Sequence, residues 1–301
     1  MLLNIIISLF IIPSIYSQQI NFDGFLNLGQ NQNSSALEQS APQRIYTDYL
    51  DVKTTAQSIV AVDVQSGKIL YQKNPEEIRS IASITKLMTA LVFLDHNPGW
   101  QKEFHTIAAD RRNGNVIYLN TGEILTIKNL FYTALVASDN DAIMALARST
   151  GLTEAEFIAK MNDKAESLGL GQTKFVEPTG LKSENKSTAG DVAKLLNYVL
   201  KNEEILKVTS TDSYEFEVFD KVKNKSRTVK LKNTDHLLNS YLNVIGGKTG
   251  FLEEAGYCLA VKIKGKENQE IIVVVLGSQS NYDRFQDVKA ISDWVFENYK
   301  W

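Results

Sequence analysis

The stretch SITKLMTALVFLDH (residues 83–96) predicts a core helix that begins with a reactive pair of side chains. Its apolar residues recur with the spacing of one buried helix stripe: Leu87, Met88, Leu91 and Val92. Ser83 lies at the N-terminal end of this helix, and Lys86 follows one turn later on the same face. The stretch therefore predicts a hydroxyl nucleophile with its own amine base.

Two further motifs follow in the chain, SDN at residues 138–140 and KTG at residues 248–250. Ser-x-x-Lys alone is a weak signal, because about one match is expected by chance in a chain of this length. A second match, SENK, occurs at residues 183–186 without an apolar stripe beside it, so we favour Ser83 over Ser183. KTG is expected by chance in fewer than about one in ten such chains. The three motifs together indicate Ser/Lys acyl transfer.

Lys86 must be neutral to accept a proton from Ser83. An unperturbed lysine, with a pKa of about 10.4, is almost wholly protonated at neutral pH, a gap of roughly 4.6 kcal/mol. Burial and a neighbouring cation lower the pKa of a lysine, and Lys248 is the expected cation. Ser138 could relay a proton between Lys86 and a leaving amine. The sequence thus predicts a catalytic set of Ser83, Lys86 and Ser138.

The remaining motif residues suit substrate binding. Asn140 can orient a substrate amide through its side-chain carbonyl and amino groups. Lys248 and Thr249 offer an ammonium and a hydroxyl that suit a substrate carboxylate, and Gly250 allows an extended peptide to approach the backbone. The backbone N–H of Phe251 is expected to form an oxyanion hole with the N–H of the nucleophile.

The composition is that of an ordinary globular protein. The chain has 301 residues, of which 44% are hydrophobic and 22% charged, and a net charge of −3 without a basic block argues against nucleic acid as a partner. Cys258 is the only cysteine, so neither an intramolecular disulfide nor a cysteine-based metal site is expected. His96, His105 and His236 show no metal-ligand spacing. We expect neither a metal nor another cofactor.

The chain divides into three expected segments. Residues 1–17, MLLNIIISLFIIPSIYS, are uncharged and mostly apolar, which predicts a cleaved signal peptide, with a retained anchor as the alternative. Residues 18–50 are rich in Gln, Asn and Ser and are expected to be a flexible polar linker. Residues 51–301 are expected to form the catalytic domain.

Within that domain the pattern predicts an α+β fold. AQSIVAVDV and KILYQKN flank a turn with Gly67, which indicates a β-hairpin. Residues from about 96 to 205 are mostly helical and are expected to form an all-helical subdomain. YEFEVFD and RTVKLK predict a second hairpin, two buried strands follow it, and an amphipathic helix closes the chain. We therefore expect an antiparallel sheet assembled from both ends of the sequence around a helical insertion.

The motifs and the stretches around them resemble one family, the secreted serine D-alanyl-D-alanine carboxypeptidases. These are the low-molecular-mass penicillin-binding proteins, which are related to the β-lactamases. The resemblance covers about residues 45–301 and includes AVDVQSGKILYQKN, IASITKLMTAL, TGEILTIKNLFYTALVASDNDA, FVEPTGL, STAGDVAKL, NTDHLL and GGKTGFLEEAGYCLAV. It implies an α/β sandwich of the β-lactamase/D,D-peptidase type, with the active site between the sheet and the helical subdomain.

The resemblance also implies a reaction and a setting. Ser83 would be acylated during removal of the terminal D-alanine from a peptidoglycan pentapeptide, with Lys86 as general base. β-Lactam antibiotics would acylate the same serine by mimicking that terminus. The protein would act outside the cytoplasm, on the cell wall, without a cofactor.

Four features need separate interpretation. Leu252 stands where many relatives have threonine. The sequence ends at Trp301 without the second β-rich domain common in relatives. Any membrane tether is therefore expected at the N-terminus. Glu177 begins a Glu-Pro pair like that of class A β-lactamases, but Leu181 stands where their deacylating loop has asparagine, so we expect a loop glutamate. Arg284 resembles a basic residue that follows the last strand of the family and is expected to play a supporting role.

Three alternatives stay open beside the carboxypeptidase. A β-lactamase or a D,D-endopeptidase would use the same fold and the same groups. A catalytically silent module that binds the cell wall would keep the fold alone. A Ser-His-Asp hydrolase is disfavoured, because no G-x-S-x-G elbow surrounds any serine.

Overall fold

A computed structural model of the chain describes residues 41–45, 52–112, 114, 116–221 and 223–301. The α-helices within this part are, in chain order, α1 (Thr85–Asp95), α2 (Ile127–Val136), α3 (Asn140–Ser149), α4 (Glu154–Ser167), α5 (Ala189–Val199), α6 (Glu203–Thr209) and α7 (Asn281–Asn298). The strands are β1 (Gln43–Arg44), β2 (Ser58–Asp63), β3 (Ile69–Lys73), β4 (Arg79–Ser80), β5 (Glu103–His105), β6 (Glu123–Thr126), β7 (Lys186–Ser187), β8 (Ser213–Asp220), β9 (Lys225–Lys232), β10 (Asn243–Leu252), β11 (Gly256–Lys264), β12 (Glu270–Ser278) and β13 (Tyr299–Lys300).

Five strands form a central antiparallel sheet in the order β10-β11-β12-β2-β3. Strands β2 and β3 come from the N-terminal side of the helices and the other three from the C-terminal side, so the predicted assembly from both ends is confirmed. The predicted hairpin at Gly67 is also confirmed, with that glycine in the left-handed region at φ 71°.

Helices cover both faces of the central sheet, which explains why β12 is apolar along most of its length. Ile272 and Val274 on β12 belong to the core that contains α1 and α5. Ile271 and Val273, which point the other way, pack with the apolar side of α7. The sheet is therefore the middle layer of three.

The region expected to be all-helical contains three short strands beside its helices: β5, β6 and β7. Strands β5 and β6 pair with the hairpin β8–β9 in a four-stranded antiparallel sheet. Glu123 on β6 is fully buried and accepts a hydrogen bond from Arg227 Nε on β9 at 2.7 Å. The all-helical description is wrong in this detail, because strands of three and four residues are too short for an alternating pattern to emerge.

The N-terminal segments are described only in part. Residues 1–17, expected to be a signal peptide, lie outside the described residues, as does most of the expected linker at 18–50. Gln43–Arg44, within that linker, forms strand β1 and pairs with β13, and Arg44 lies over the ring of Trp294 at 5.2 Å. No helix in the described part of the chain has the length and apolarity needed to cross a bilayer.

Candidate active site

Ser83 lies in a single 3-10 turn, Ala82–Ile84, that leads directly into α1. Ala82 adopts a left-handed conformation with φ 45°, which costs a non-glycine residue roughly 1–3 kcal/mol. The predicted helix over residues 83–96 is confirmed, with α1 ending at Asp95 and Ser83 just before its first turn. The strained turn sets the direction of the Ser83 backbone relative to α1.

Two glycines pack against this turn from neighbouring segments. A Cβ atom on Gly180 would lie 2.0 Å from Ala82 O, and a Cβ atom on Gly250 would lie 3.2 Å from Ser83 N. A side chain at Gly250 would therefore fill the space beside the Ser83 N–H. The absence of side chains at both positions allows the turn to sit between them and keeps that space open.

Lys86 is fully buried, and its ammonium reaches the hydroxyl of Ser83. Its Nζ donates to Ser83 Oγ at 2.8 Å, to Asn140 Oδ1 at 2.7 Å and to Thr179 O at 2.7 Å. These bonds use the three protons of a charged lysine. When Lys86 is neutral, its two protons can remain on the carbonyl oxygens of Asn140 and Thr179, which leaves its lone pair directed at the Ser83 hydroxyl.

Burial is the main cause that lowers the pKa of Lys86 to about 7, while the carboxylates of Glu177 and Asp139 act in the opposite direction. The low pKa of Lys86 is what a lysine needs to accept a proton from Ser83. From the sequence, Lys248 is expected to contribute to this low pKa, but burial is the cause that lowers it. The influence runs the other way: after burial of Lys248 itself, Lys86 contributes to lowering the pKa of Lys248. Asp139 of the SDN motif thus contributes a negative charge that favours the protonated form of Lys86.

The second motif forms the start of α3. Asp139 is the N-cap residue of the helix and accepts a hydrogen bond from Ala142 N at 2.7 Å. Ser138, just before it, is buried and left-handed with φ 58°. This geometry brings Asn140, in the first turn of α3, to Lys86.

The third motif lies on β10, an edge strand of the central sheet that packs against the 3-10 turn of Ser83. Lys248 and Thr249 are buried, and Thr249 Oγ1 lies 2.6 Å from Thr234 Oγ1. Arg284 Nη1, from α7, donates to Gly250 O at 3.0 Å. Of the expected site residues on this strand, Phe251 alone has a largely exposed side chain, and its ring stacks on Tyr257 with centroids 4.3 Å apart.

Glu177 organises the loop that carries Thr179 and Gly180. One carboxylate oxygen accepts from Thr179 N and Thr179 Oγ1, both at 2.6 Å. The other accepts from Gly180 N at 2.5 Å and from Asn185 Nδ2 at 2.6 Å. Because both oxygens are occupied by protein donors, the geometry favours the loop glutamate over a base that activates water.

The second Ser-x-x-Lys match belongs to this same loop and has no Ser-Lys contact among its described hydrogen bonds. Ser183 Oγ has a long bond of 3.4 Å to Glu184, and Lys186 lies exposed on β7. Asn185 is used to hold Glu177. The structure thus brings together Ser83, rather than Ser183, with a buried lysine.

Sequence reasoning missed several residues that shape the site. Thr179 contributes a backbone carbonyl, for which residue type carries no signal. Gly180 and Thr234 lie in the quoted stretches FVEPTGL and NTDHLL, but without the fold neither could be placed beside Ser83 or the KTG strand. Asp235, also in NTDHLL, is buried near Lys248 and Arg284.

Comparison with known proteins places this geometry in a family. The family described as D-alanyl-D-alanine carboxypeptidase, peptidase S11, matches residues 43–280. A D-alanyl-D-alanine carboxypeptidase of Bacillus subtilis, DacF, is 37% identical over 251 residues, which are 81% of this chain and 63% of the relative. A D-alanyl-D-alanine endopeptidase of Escherichia coli is 33% identical over 79% of this chain and 76% of its own length.

The fold comparison agrees. The crystal structure of the Streptomyces K15 DD-transpeptidase superposes with a TM-score of 0.76 at 30% identity, covering 83% of this chain and all of that one. The predicted fold class is confirmed, as is the predicted resemblance to the D-alanyl-D-alanine carboxypeptidase family. This chain spans less than two thirds of the B. subtilis relative. From the family match, the relatives and the shared fold, we conclude that the chain belongs to the D-alanyl-D-alanine carboxypeptidase family, peptidase S11.

Proposed function

We propose that this protein is a serine-type carboxypeptidase that removes the terminal D-alanine of peptidoglycan stem peptides through an acyl-enzyme on Ser83. The observation that carries the proposal is the position of Lys86, a buried amine bonded to Ser83 Oγ with a pKa lowered to about 7. An amine with such a pKa is neutral in a substantial fraction of molecules at neutral pH, so it can act as a base.

Acylation begins when the neutral Lys86 takes the Ser83 proton and Oγ attacks the carbonyl carbon of the scissile peptide bond. The negative charge on the carbonyl oxygen is stabilised by the N–H groups of Ser83 and Phe251. Lys86 then returns the proton, with Ser138 as relay, to the leaving nitrogen. The C–N bond breaks and free D-alanine departs.

The terminal carboxylate of the substrate is assigned to Lys248 and Thr249 on the edge strand β10. Gly250 leaves room for the peptide to lie along that edge, and Asn140 orients the substrate amide with the groups that Lys86 does not use. In the second half-reaction, water gives its proton to Lys86 and attacks the ester. The ester C–O bond then breaks, Lys86 returns the proton to Ser83 Oγ, and the shortened peptide leaves as a free acid.

A D,D-endopeptidase is the second candidate, because a relative of that name matches 79% of this chain. Mass spectrometry separates the two activities when a pentapeptide ending in D-Ala-D-Ala and a cross-linked dimer are digested side by side. Loss of one alanine from the pentapeptide with an intact dimer supports the proposal. Cleavage of the dimer alone would assign the endopeptidase instead.

Two other candidates are separated by β-lactams, which we propose acylate Ser83. A near-stoichiometric burst with a chromogenic cephalosporin is expected of a peptidase, whereas sustained turnover would indicate a β-lactamase. A protein that forms no covalent penicillin adduct would be a silent cell-wall-binding module.

The family acts on peptidoglycan, which lies outside the cytoplasm. We infer that residues 1–17 direct export and that a membrane tether, if one exists, is formed by this N-terminal segment. Size and N-terminal sequencing of the mature protein would test cleavage of the segment.

A further inference from the structure

The second Ser-x-x-Lys match contains a buried side chain that the proposed mechanism does not use. Asn185, the third residue of SENK, is fully buried. Its Oδ1 accepts from Val176 N at 2.7 Å and from Glu177 N at 3.3 Å. Its Nδ2 donates to Glu177 O at 3.0 Å and to Glu177 Oε1 at 2.6 Å. The amide therefore uses all of its hydrogen-bonding capacity on one short stretch of the chain.

Asn185 also joins this stretch to the segment that leads to Ser83. Its backbone O accepts a hydrogen bond from Ile81 N at 3.1 Å, two residues before Ser83. Strands β4 and β7 continue this pairing, with Ser80 opposite Lys186. Asn185 thus has direct contacts both with the loop of Glu177 and with the chain that enters the 3-10 turn.

Glu177 carries the constraint to the next residues of its loop. The carboxylate oxygen that accepts from Asn185 Nδ2 is the one that also accepts from Gly180 N. The other oxygen accepts from Thr179 N and Thr179 Oγ1. A buried polar network in which every member is satisfied is rigid. The orientation of Glu177, and with it the backbone of Thr179 and Gly180, therefore depends on Asn185.

The loop presents two successive carbonyl groups to α1. Pro178 O accepts from Thr89 Oγ1 at 2.7 Å, and Thr179 O accepts from Lys86 Nζ at 2.7 Å. Thr89 and Lys86 are both fully buried and lie one turn apart on the helix. The position of Thr179 O fixes the direction of one proton of Lys86, and so helps to decide which side of the amine faces Ser83.

We propose that Asn185 is a positioning residue for the base: through Glu177 it fixes the Thr179 carbonyl, which keeps the lone pair of neutral Lys86 directed at Ser83. The inference rests on the proposed function, because it assigns the role of base to Lys86. Among its described hydrogen bonds, Asn185 has none with the KTG strand. Its loss should therefore affect the acylation step and leave the binding of the substrate carboxylate unchanged.

The variant Asn185→Ala removes the four side-chain hydrogen bonds. The measurement is adduct formation by benzylpenicillin over a range of penicillin concentrations. It separates K, the dissociation constant of the non-covalent complex, from k2, the limiting rate constant of acylation. Unfolded molecules form no adduct and so do not alter k2, which distinguishes a change in the site from a loss of stability.

Asn162→Ala is the matched control. Asn162, on α4, holds the beginning of the same stretch: it accepts from Phe175 N at 2.9 Å and donates to Phe175 O at 2.8 Å and to Ile158 O at 3.0 Å. It has no hydrogen bond to Glu177 in the part of the chain that the structure describes. The control therefore removes a similar buried amide without removing a donor to Glu177.

The expected result is that k2 falls by about 10- to 100-fold in Asn185→Ala, because a small displacement of a reacting group has an effect of this size. K should stay that of the wild type. Asn162→Ala should be less stable to urea and keep the wild-type k2 and K. Asn185→Ser, which has one hydroxyl in place of the amide, should also lower k2, and it serves if the alanine variant does not fold.

An unchanged k2 in a folded Asn185 variant would overturn the inference and leave the proposed function standing. An equal fall of k2 in Asn162→Ala would also overturn it, because any loosening of the stretch would then have the same effect. A weaker K with an unchanged k2 would assign Asn185 to binding and would likewise overturn it. A wild-type protein that forms no adduct with benzylpenicillin would overturn the proposed function and this inference together.

Discussion

Lys86 Nζ lies 2.8 Å from Ser83 Oγ, and the other two acceptors of Lys86 are carbonyl oxygens that cannot give it a proton. This asymmetry decides where the lysine lone pair points once the amine is neutral. A charged lysine satisfies all three oxygens, whereas a neutral lysine keeps the two carbonyls and presents its lone pair to the hydroxyl. The orientation of the buried amine therefore suits the role of base that we propose for Lys86.

The first prediction concerns the pH dependence of acylation. In the proposed mechanism only neutral Lys86 takes the Ser83 proton, and burial lowers the pKa of Lys86 to about 7. The rate of penicillin acylation should therefore rise with pH through this value and fall about tenfold per unit below it. Stopped-flow labelling across this range measures the limb, and a rate independent of pH below neutrality would exclude Lys86 as the base.

The second prediction replaces this base by a permanent cation. Lys86→Arg should slow acylation by at least about 100-fold, because a guanidinium does not lose its proton. Lys186→Arg, in the second Ser-x-x-Lys match, is the matched control, since Lys186 is exposed on β7. It should be labelled at the wild-type rate. Equal losses in both variants would show that the buried position of Lys86 is irrelevant.

The third prediction tests Gly180, which packs against the 3-10 turn that contains Ser83. A methyl group at Gly180 would lie 2.0 Å from Ala82 O, so Gly180→Ala should displace Ser83 and slow acylation. Gly122→Ala is the matched control, because Gly122 has a nearly equal φ of 88° and no atom within 4 Å of an added Cβ. Urea unfolding should show a loss of about 3 kcal/mol for Gly180→Ala and about 1 kcal/mol for Gly122→Ala. Equal losses, with normal acylation in both, would contradict the packing argument.

The fourth prediction concerns Glu177. Glu177→Gln exchanges one acceptor oxygen for an amino group that faces the donors of Thr179, Gly180 or Asn185, so unfolding free energy should fall by about 1–3 kcal/mol. The lifetime of the penicilloyl-enzyme should be unchanged, because Glu177 is not expected to activate the hydrolytic water. The exposed neighbour Glu184→Gln is the control. A selectively prolonged lifetime in Glu177→Gln would instead identify a deacylating base of the β-lactamase kind.

The sequence predicted the elements with strong periodicity and the motif residues they carry. The stripe of α1, the hairpin at Gly67 and the antiparallel sheet from both ends are all confirmed, because each buries a face that leaves a clear pattern. Strands β5 and β6 were missed, since pairing across the sheet and the buried Glu123–Arg227 pair, rather than local pattern, hold them in place.

The site was predicted less completely, for a physical reason. Side-chain chemistry points to Ser83, Lys86, Asn140 and Lys248, but backbone groups and close approaches leave no residue-type signal. The Thr179 carbonyl, the space beside Ser83 N and the left-handed turns at Ala82 and Ser138 depend on tertiary packing.

The most direct test of the account is to locate the covalent adduct formed by benzylpenicillin. Peptide mapping by mass spectrometry should find the intact β-lactam mass on the peptide that contains Ser83. Ser83→Ala should form no adduct while its circular dichroism spectrum stays that of the wild type. An adduct on Ser183, or undiminished labelling of Ser83→Ala, would contradict the central claim that Ser83 is the nucleophile activated by Lys86.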